Sequence, residues 1–118
     1  MLKFKKKEAN LMFFEYDKTK KIELGGGLSR RILAHGEDMM AVEVTFEKGA
    51  LGAIHTHPQT QITYVLRGRF EATLGNTTKI LEVGDSYLTT PNLPHGVLCL
   101  EEGALLDVFT PRREDFLK

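Results

Sequence analysis

Cysteine, proline and tryptophan are scarce in this chain of 118 residues, which has one Cys, four Pro and no Trp. The single cysteine, Cys99, cannot close a disulfide within the chain, so the fold has no need of an oxidising compartment. It lies in the apolar run 97–100, where we expect a small, buried hydrophobic side chain.

A surplus of charge of one sign is also absent, because 16 Lys and Arg residues balance 16 Asp and Glu residues. This balance gives no support to nucleic acid or a membrane surface as a partner. Long apolar runs are missing too. The stretch 11–14 that follows the N-terminal lysines is shorter than the roughly seven to fifteen apolar residues of a signal peptide, and no run approaches a transmembrane span. We expect one cytoplasmic domain over residues 1–118, with residues 1–20 as an N-terminal arm.

What the sequence does contain is a series of short alternating segments. In 39–47 the residues Met40, Val42, Val44 and Phe46 fall on one face and polar residues on the other, which predicts a half-buried strand. The glycine triplet 25–27 is a break that leads into a second predicted strand, 28–34. Residues 11–16 fit an edge strand, or a segment that swaps onto a partner subunit.

After Gly49 the turn-forming residues recur at short intervals, and each segment between them is rich in β-branched or aromatic residues. The predicted strands are 61–67, 70–74, 78–83, 86–89, 97–100 and 104–109. Gly75-Asn76 indicates a hairpin, and the only helical signal is a final turn at 112–117. Many short strands with frequent turns predict an all-β fold, either a sandwich or a barrel.

Three polar side chains stand at odd positions of the stretch 49–68: His55, His57 and Gln61. Two residues apart on an extended strand, the histidines would point the same way and could share one ion. Pro58 would end that strand, and a turn would carry the chain to Gln61. An isolated His-X-His pair is more often structural, but this proline turn, the glutamine and His95 after a second turn favour a metal site. Gln59 is the rival oxygen donor.

The amide of Gln61 would set the chemistry of such a site. Three neutral imidazoles and one amide leave the full charge on a divalent ion, which favours polarising a hydroxyl or carbonyl group. Non-haem iron oxygenases use two histidines and a carboxylate, which this set lacks. The identity of the metal stays open among Ni, Zn, Fe, Mn and Cu.

The C-terminal tail holds a second group of polar residues. Asp107 lies in the apolar run 104–109, where a carboxylate without a partner is costly to bury, and it shares a strand face with Phe109. One reading is an ion pair with Arg112 or Arg113. The other is acid–base work by Asp107 beside the metal, with Arg113 clamping an anionic substrate.

Two stretches resemble the paired sequence motifs of the cupin superfamily. The first contains Gly49, His55, His57, Gln61 and Gly68 at the cupin spacing, with Gln61 in place of the usual Glu. The second begins at Gly84-Asp85 and ends at His95, with Thr90 and Asn92 in place of the usual Pro and Gly. This resemblance implies a double-stranded β-helix, or jelly-roll, barrel.

Together with the segment Leu24-Gly25-Gly26-Gly27 and the tail, these motifs resemble the small KdgF-type cupins of pectin and alginate breakdown. That family opens 4,5-unsaturated monouronates to the linear 5-keto-4-deoxyuronate. The resemblance implies one divalent metal on His55, His57, Gln61 and His95, with supporting roles for Asp107, Phe109 and Arg113. An aromatic residue common before the glycine triplet is absent, with Ile22 nearby, and Leu93 alters the second turn.

The partners expected are a small-molecule substrate and a second copy of the chain, since residues 11–14 could cover a sheet edge of a homodimer. Four alternatives to ring opening remain: a metal-dependent dioxygenase, a sugar isomerase, a cupin that binds a ligand without turnover, and a structural or storage-like barrel that binds no metal.

Overall fold

The computed structural model describes residues 5–118, so the first four residues of the predicted 1–20 arm lie outside it. The described chain begins with one short helix and continues through eight strands. Their bounds are α1 Lys6–Asn10, β1 Lys21–Gly25, β2 Leu28–His35, β3 Met40–Phe46, β4 Leu51–His55, β5 Thr60–Leu74, β6 Thr77–Leu81, β7 Ser86–Thr89 and β8 His95–Thr110. Short 3₁₀ turns occupy Tyr16–Lys18 and Glu114–Leu117.

All eight strands belong to one antiparallel sheet with the order β1-β2-β3-β8-β5-β6. In addition, β4 pairs with β8, and β7 pairs with β5. The two long strands, β5 and β8, pair along their whole length, from Thr60 opposite Thr110 to Leu74 opposite His95. Their first and second halves therefore take different neighbours, and the sheet folds over on itself as an all-β jelly roll.

The fold-over occurs where β5 and β8 cross near Gly68 and Gly103. The strand register shifts three times between Val65 and Phe70, which marks a bulged bend. Gly68 has a φ of +85°, and a Cβ added to it would lie 2.6 Å from two carbonyl oxygens of β8. Only glycine lets the two backbones approach this closely. The bend brings the two halves of the sheet face to face.

Apolar residues from both halves fill the space between them. The larger cluster contains Phe46 and Phe70, whose rings meet edge to face with centroids 5.1 Å apart. Cys99 belongs to this cluster and is buried, as predicted. A smaller cluster of Met40, Val42 and Phe109 lies towards the other end of the barrel. The predicted inward face of 39–47 is thus confirmed.

The predicted strands are confirmed, with differences in which segments join, in an added first strand and in the end of β4 before His57. The segments 61–67 and 70–74 form one continuous strand, as do 97–100 and 104–109, because the bend leaves both backbones extended. The strand β1 was not predicted; it pairs with β2 across the glycine triplet. The hairpin at Gly75-Asn76 is confirmed.

The prediction of an edge strand at 11–16 is wrong. This segment follows α1 as a turn and leads into the 3₁₀ turn Tyr16–Lys18. It lies on its own sheet: the Tyr16 hydroxyl donates a hydrogen bond to Glu43 at 2.5 Å, and the Phe14 ring contacts the His35 ring. Among the described residues, no helix is long and apolar enough to span a membrane.

Candidate metal centre

The four predicted ligand residues converge at one end of the barrel. His55 ends β4 and His95 begins β8, and the two are direct partners in the antiparallel pair. One ligand atom from each of His55, His57 and His95 lies within 4.8 Å of the others. Gln61, the second residue of β5, places its Oε1 2.9 Å from His57 Nε2. The three histidines are therefore positioned for a metal ion.

His57 reaches the cluster by a different route from the one predicted. The strand β4 ends at His55, so His57 lies in the connection to β5 instead of on the same strand. The turn before His95 braces this connection, because the Asn92 backbone N–H donates to the His57 carbonyl at 2.8 Å. Asn92 has a φ of +64°, the left-handed conformation that Asn tolerates and that this turn requires.

Each imidazole is oriented by the backbone around it. The Nδ1 atom of every histidine in the cluster faces a carbonyl oxygen two residues away in the chain. These contacts are His55 to Ala53 at 2.8 Å, His57 to Gln59 at 3.1 Å and His95 to Leu93 at 2.8 Å. An Nδ1–H that donates to a carbonyl leaves Nε2 with its lone pair, which is the tautomer that binds a metal.

Two of the imidazoles, those of His57 and His95, are also held in the neutral form. Burial lowers the pKa of His57 and of His95 below the usual histidine value. Repulsion by His55 and Arg113 lowers the pKa of both residues further. Only a neutral imidazole has a lone pair to offer, so this environment favours ligation at neutral pH.

The hydrogen bonds of the cluster are incomplete in a way that fits a cation. His57 has an oxygen atom close to each ring nitrogen, but a neutral imidazole carries only one N–H. In addition, His95 Nε2 is buried without a partner in the described chain. An unpaired buried polar atom is costly, and a metal ion would satisfy both His95 Nε2 and the facing pair of His57 and Gln61.

The amide of Gln61 is held with its oxygen towards the histidines. Its Nε2 donates to the Thr63 hydroxyl oxygen at 2.7 Å and to Asp107 Oδ1 at 3.2 Å. The opposite orientation would set the amide oxygen against the Asp107 carboxylate. Gln61 thus presents an oxygen donor, the type of ligand that the sequence analysis assigned to it.

Asp107 is held by neutral groups. Its Oδ1 accepts the hydrogen bonds of Gln61 and of the Thr63 hydroxyl, the latter at 2.7 Å. The alternative of an ion pair with Arg112 or Arg113 is not found, because these arginines pair with Glu114 and Asp115. Burial raises the pKa of Asp107 to about 6, against the opposing effect of these hydrogen bonds.

A cavity of about 270 Å³ opens beside the histidines. Its lining includes His55, Gln61, His95, Asp107, Phe109 and Arg113. Phe109 meets the His57 ring edge to face at 5.5 Å, so it holds that imidazole from the apolar side. The cavity therefore joins three of the four candidate ligands to the three residues that the sequence analysis placed near them.

Arg113 is less free than a substrate clamp requires. Its Nε and Nη2 donate to the two carboxylate oxygens of Asp115 at 3.1 and 2.9 Å. Its guanidinium also lies over the ring of Phe116, 4.2 Å from the centroid. The edge formed by Nε and Nη2, one of those that can bind a carboxylate with two hydrogen bonds, is thus already occupied.

Gln59, the rival oxygen donor, has its Oε1 buried without a partner in the described chain. Its Nε2 donates to the Arg112 carbonyl at 3.2 Å, and it is absent from the cavity lining. Sequence reasoning missed three residues of the site: Arg30, Thr63 and Phe116. The alternation of β5 places Thr63 on the same face as Gln61, a signal that was available. Arg30 and Phe116 reach the cavity only through tertiary packing.

The fold and the site together indicate the class of protein. The fold is an eight-stranded jelly roll, and three histidines and a glutamine lie together at one end of it. Residues 42–109 match the cupin domain family, and this range includes all four candidate ligands, Asp107 and Phe109. The chain belongs to the cupin family.

Comparison with individual proteins shows which members of this family the chain resembles. The chain is 45% identical over 107 residues to the pectin degradation protein KdgF of Dickeya dadantii (strain 3937), which covers 89% of this chain and 97% of that protein. The solved structure of KdgF from Halomonas sp. matches with a TM-score of 0.84 and 38% identity, over 88% of this chain and 98% of that one. An RmlC-like cupin from Shewanella frigidimarina NCIMB 400 matches with a TM-score of 0.85 and 39% identity, over 88% and 94%. The resemblance to KdgF-type cupins is confirmed.

Proposed function

We propose that this protein is a metal-dependent enzyme that opens the ring of 4,5-unsaturated monouronates to give 5-keto-4-deoxyuronate. The observation that carries the proposal is the cavity in which an uncharged donor set, a carboxylate and cationic side chains lie together. Similarity to the pectin degradation protein KdgF supports the substrate class.

The metal ligands in this proposal are His55, His57, Gln61 and His95. When bound, a divalent ion on these neutral ligands keeps its full charge and supplies Lewis acidity towards a hydroxyl or carbonyl oxygen of the substrate. The backbone carbonyls on the three Nδ1 atoms and the bonds to the Gln61 amide hold the donor atoms ready, which reduces the reorganisation that binding needs.

The reaction is an isomerisation and needs no co-substrate. The anomeric hydroxyl loses a proton, the bond between C1 and the ring oxygen breaks, and C1 becomes an aldehyde. The enol left at C5 becomes a ketone when C4 gains a proton. The protein therefore has to move protons and hold the ring in place.

Asp107 is the proposed proton-transfer group. It lines the cavity, and its Oδ1 takes both hydrogen bonds from Gln61 and Thr63 while Oδ2 makes none to the described residues. The free oxygen can accept a proton from one substrate atom and return it to another. The same contacts tie Asp107 to Gln61, so its carboxylate is fixed relative to the metal ligands.

Phe109 and Arg113 complete the proposed site. Phe109 keeps His57 in place through the contact of the two rings and closes that side of the cavity against water. Arg113 lies 5.1 Å from the Phe109 ring and contributes positive charge next to an anionic substrate. Phe109 lies in the second half of β8 and Arg113 in the tail that follows it. Both segments pack over the ligand cluster.

The test follows the ultraviolet absorbance of the C4=C5 double bond, which conjugation with the carboxylate makes visible. Metal-loaded protein is mixed with monouronates released by a polysaccharide lyase, and loss of absorbance reports ring opening. We expect His55→Ala to lose metal and activity, while His35→Ala, which removes a histidine outside the cluster, keeps both. We expect Asp107→Asn to keep metal and lose most turnover. Full activity in Asp107→Asn would contradict its role.

Two alternatives have different outcomes in the same preparation. A dioxygenase loaded with Fe(II) would consume oxygen when substrate is added, although the uncharged ligand set does not favour that chemistry. A cupin that only binds its ligand would retain the uronate without any loss of absorbance.

For the assembly, we propose a homodimer in which the N-terminal segment stays on its own sheet and packs its exposed side chains, residues 11–13, against the sheet of a second copy. Leu11, Met12 and Phe13 are 73%, 60% and 75% exposed, and Ile62 and Tyr64 are exposed on the outer face of β5. An apolar segment beside an apolar sheet face, in a chain without net charge, suits association with itself.

Light scattering tests this assembly by its mass. We expect twice the mass of the 13.3 kDa chain, and we expect Phe13→Asp to reduce it to one chain. Leu51→Asp is the matched control, because Leu51 is 62% exposed on β4. A monomeric mass for the unaltered protein would contradict the proposal.

A further inference from the structure

A second arginine, Arg30, lines the cavity of the metal centre. It lies on β2 opposite Val44 of β3, and paired residues of an antiparallel sheet project to the same side. Val44 packs against the core, so Arg30 projects inwards too. Its neighbour Arg31 projects outwards, where it donates to Thr19 and lies over the Tyr16 ring.

Arg30 has no direct ion-pair partner in the part of the chain that the structure describes; the opposite charge that acts on it, Asp115, is paired with Arg113. Arg30 makes no ion pair and no side-chain hydrogen bond there, and its Nε is buried without a partner. This differs from Arg113, whose Nε and Nη2 both donate to the Asp115 carboxylate. An unpaired guanidinium N–H inside a protein is costly, which marks Arg30 as the cation ready to receive an anion.

The ring of Phe116 holds Arg30 in the orientation that an anion needs. The Arg30 guanidinium carbon lies 3.8 Å from the Phe116 ring centroid. Stacking uses the face of the guanidinium and leaves the N–H groups in its plane free for a planar partner such as a carboxylate. Arg113 packs on the same ring, 4.2 Å from its centroid, so the two cations flank one aromatic side chain.

The electrostatics agree with this geometry. Burial lowers the pKa of Arg30 and repulsion by Arg113 lowers it further, while the Asp115 carboxylate, which is paired with Arg113, opposes both effects. The guanidinium remains charged at neutral pH, since arginine titrates far above that range. A bound anion would relieve both effects.

We propose that Arg30 recognises the carboxylate of the substrate and determines the preference of the site for sugar acids over neutral sugars. Arg113, held by Asp115, supports Phe116 and adds charge without gripping the carboxylate itself. The inference rests on the proposed function for the identity of the substrate as a uronate. It predicts a carboxylate-binding end of the cavity that the sequence motifs do not contain.

The test compares galacturonate with galactose, which differ in the carboxylate, by titration calorimetry on zinc-loaded protein. In Arg30→Met the apolar stem remains over Phe116 and the charge is removed. We expect this variant to bind galacturonate at least about tenfold more weakly, a change of about 1.4 kcal/mol, with galactose binding and zinc content unchanged. Arg31→Met is the control and should behave as the unaltered protein. Arg30→Gln provides the same comparison if the methionine variant does not fold.

In the absorbance assay, Arg30→Met should raise KM for the unsaturated uronate more than it lowers kcat. Equal galacturonate affinity in Arg30→Met and the unaltered protein would overturn the inference, as would no preference for galacturonate over galactose before substitution. An Arg30-dependent preference without ring opening would leave the inference standing and remove the proposed function. Ring opening with an unchanged KM in Arg30→Met would overturn the inference and leave the proposed function standing.

Discussion

Gly49 and Gly68, the glycines at the two ends of the first motif, offer a sharp test of how this barrel is built. Both have a φ of +85°, so an alanine at either position adopts the left-handed conformation. They differ in their surroundings. A Cβ at Gly49 would meet no atom within 4 Å, while a Cβ at Gly68 would lie 2.6 Å from the carbonyl oxygens of Glu101 and Glu102.

The expected costs follow from that difference. The left-handed conformation costs an L-residue about 1–2 kcal/mol, and Gly→Ala recovers about 0.4–1 kcal/mol by restricting the unfolded chain. Gly49→Ala should therefore destabilise the fold by about 1 kcal/mol. Gly68→Ala has the same cost plus an overlap with the backbone of β8, and overpacking adds about 1–3 kcal/mol or more. We expect Gly68→Ala to be at least about 2 kcal/mol less stable than Gly49→Ala.

Urea unfolding of metal-free protein is the appropriate assay, because a bound ion would add its own contribution to stability. In thermal unfolding the same difference amounts to about 8 °C between the two variants, at about 4 °C per kcal/mol for a domain of this size. Equal losses in the two variants would refute the reasoning. Their cost would then come from φ alone, and the close crossing of β5 and β8 at Gly68 would not limit the side chain.

Other predictions concern the site and the core. Thr63→Val removes the hydroxyl that holds the Gln61 amide, and loss of such a support lowers metal affinity by about 10–100-fold. Chelator competition measures the affinity. Thr73→Val, at an exposed threonine pair, is the control and should leave the affinity unchanged. Zinc at about 100 times its Kd should stabilise the protein by about 2.7 kcal/mol, visible by calorimetry as a shift in Tm that chelator or His55→Ala abolishes; a shift that persists in His55→Ala would place the ion elsewhere. Burial raises the pKa of the Cys99 thiol, so its reaction with a disulfide reagent should follow global unfolding, and rapid reaction in native buffer would contradict its packing.

The histidine cluster was predictable from the sequence because its residues are fixed by local rules. His55 ends a strand, His95 begins one, and the turns that precede or follow them carry Pro58 and Asn92. Those turns hold the imidazoles through contacts between residues close in the chain, such as His95 to the Leu93 carbonyl. The buried face of β3 was predictable for the same reason, since alternation within one strand needs no knowledge of its neighbours.

The partners of the charged side chains were not predictable in this way. Asp107 and Arg113 were expected to meet each other or a substrate, but Asp107 bonds Thr63 and Gln61 and Arg113 bonds Asp115. Several partners were within reach along the chain, and the choice among them depends on how β5, β8 and the tail pack. Local spacing contains no information about that packing.

Arg30 and Arg31 show most clearly which features the sequence determines and which only the tertiary structure decides. The sequence by itself determines that two adjacent arginines on a strand project to opposite faces. It does not determine which of them projects inwards, because that depends on the register between β2 and β3, set by contacts such as Arg30 with Val44. A shift of one residue would exchange the two side chains. The sequence thus determined most of the strands, the turns and the histidine cluster, and only the tertiary structure decided which of the two adjacent arginines lies beside that cluster.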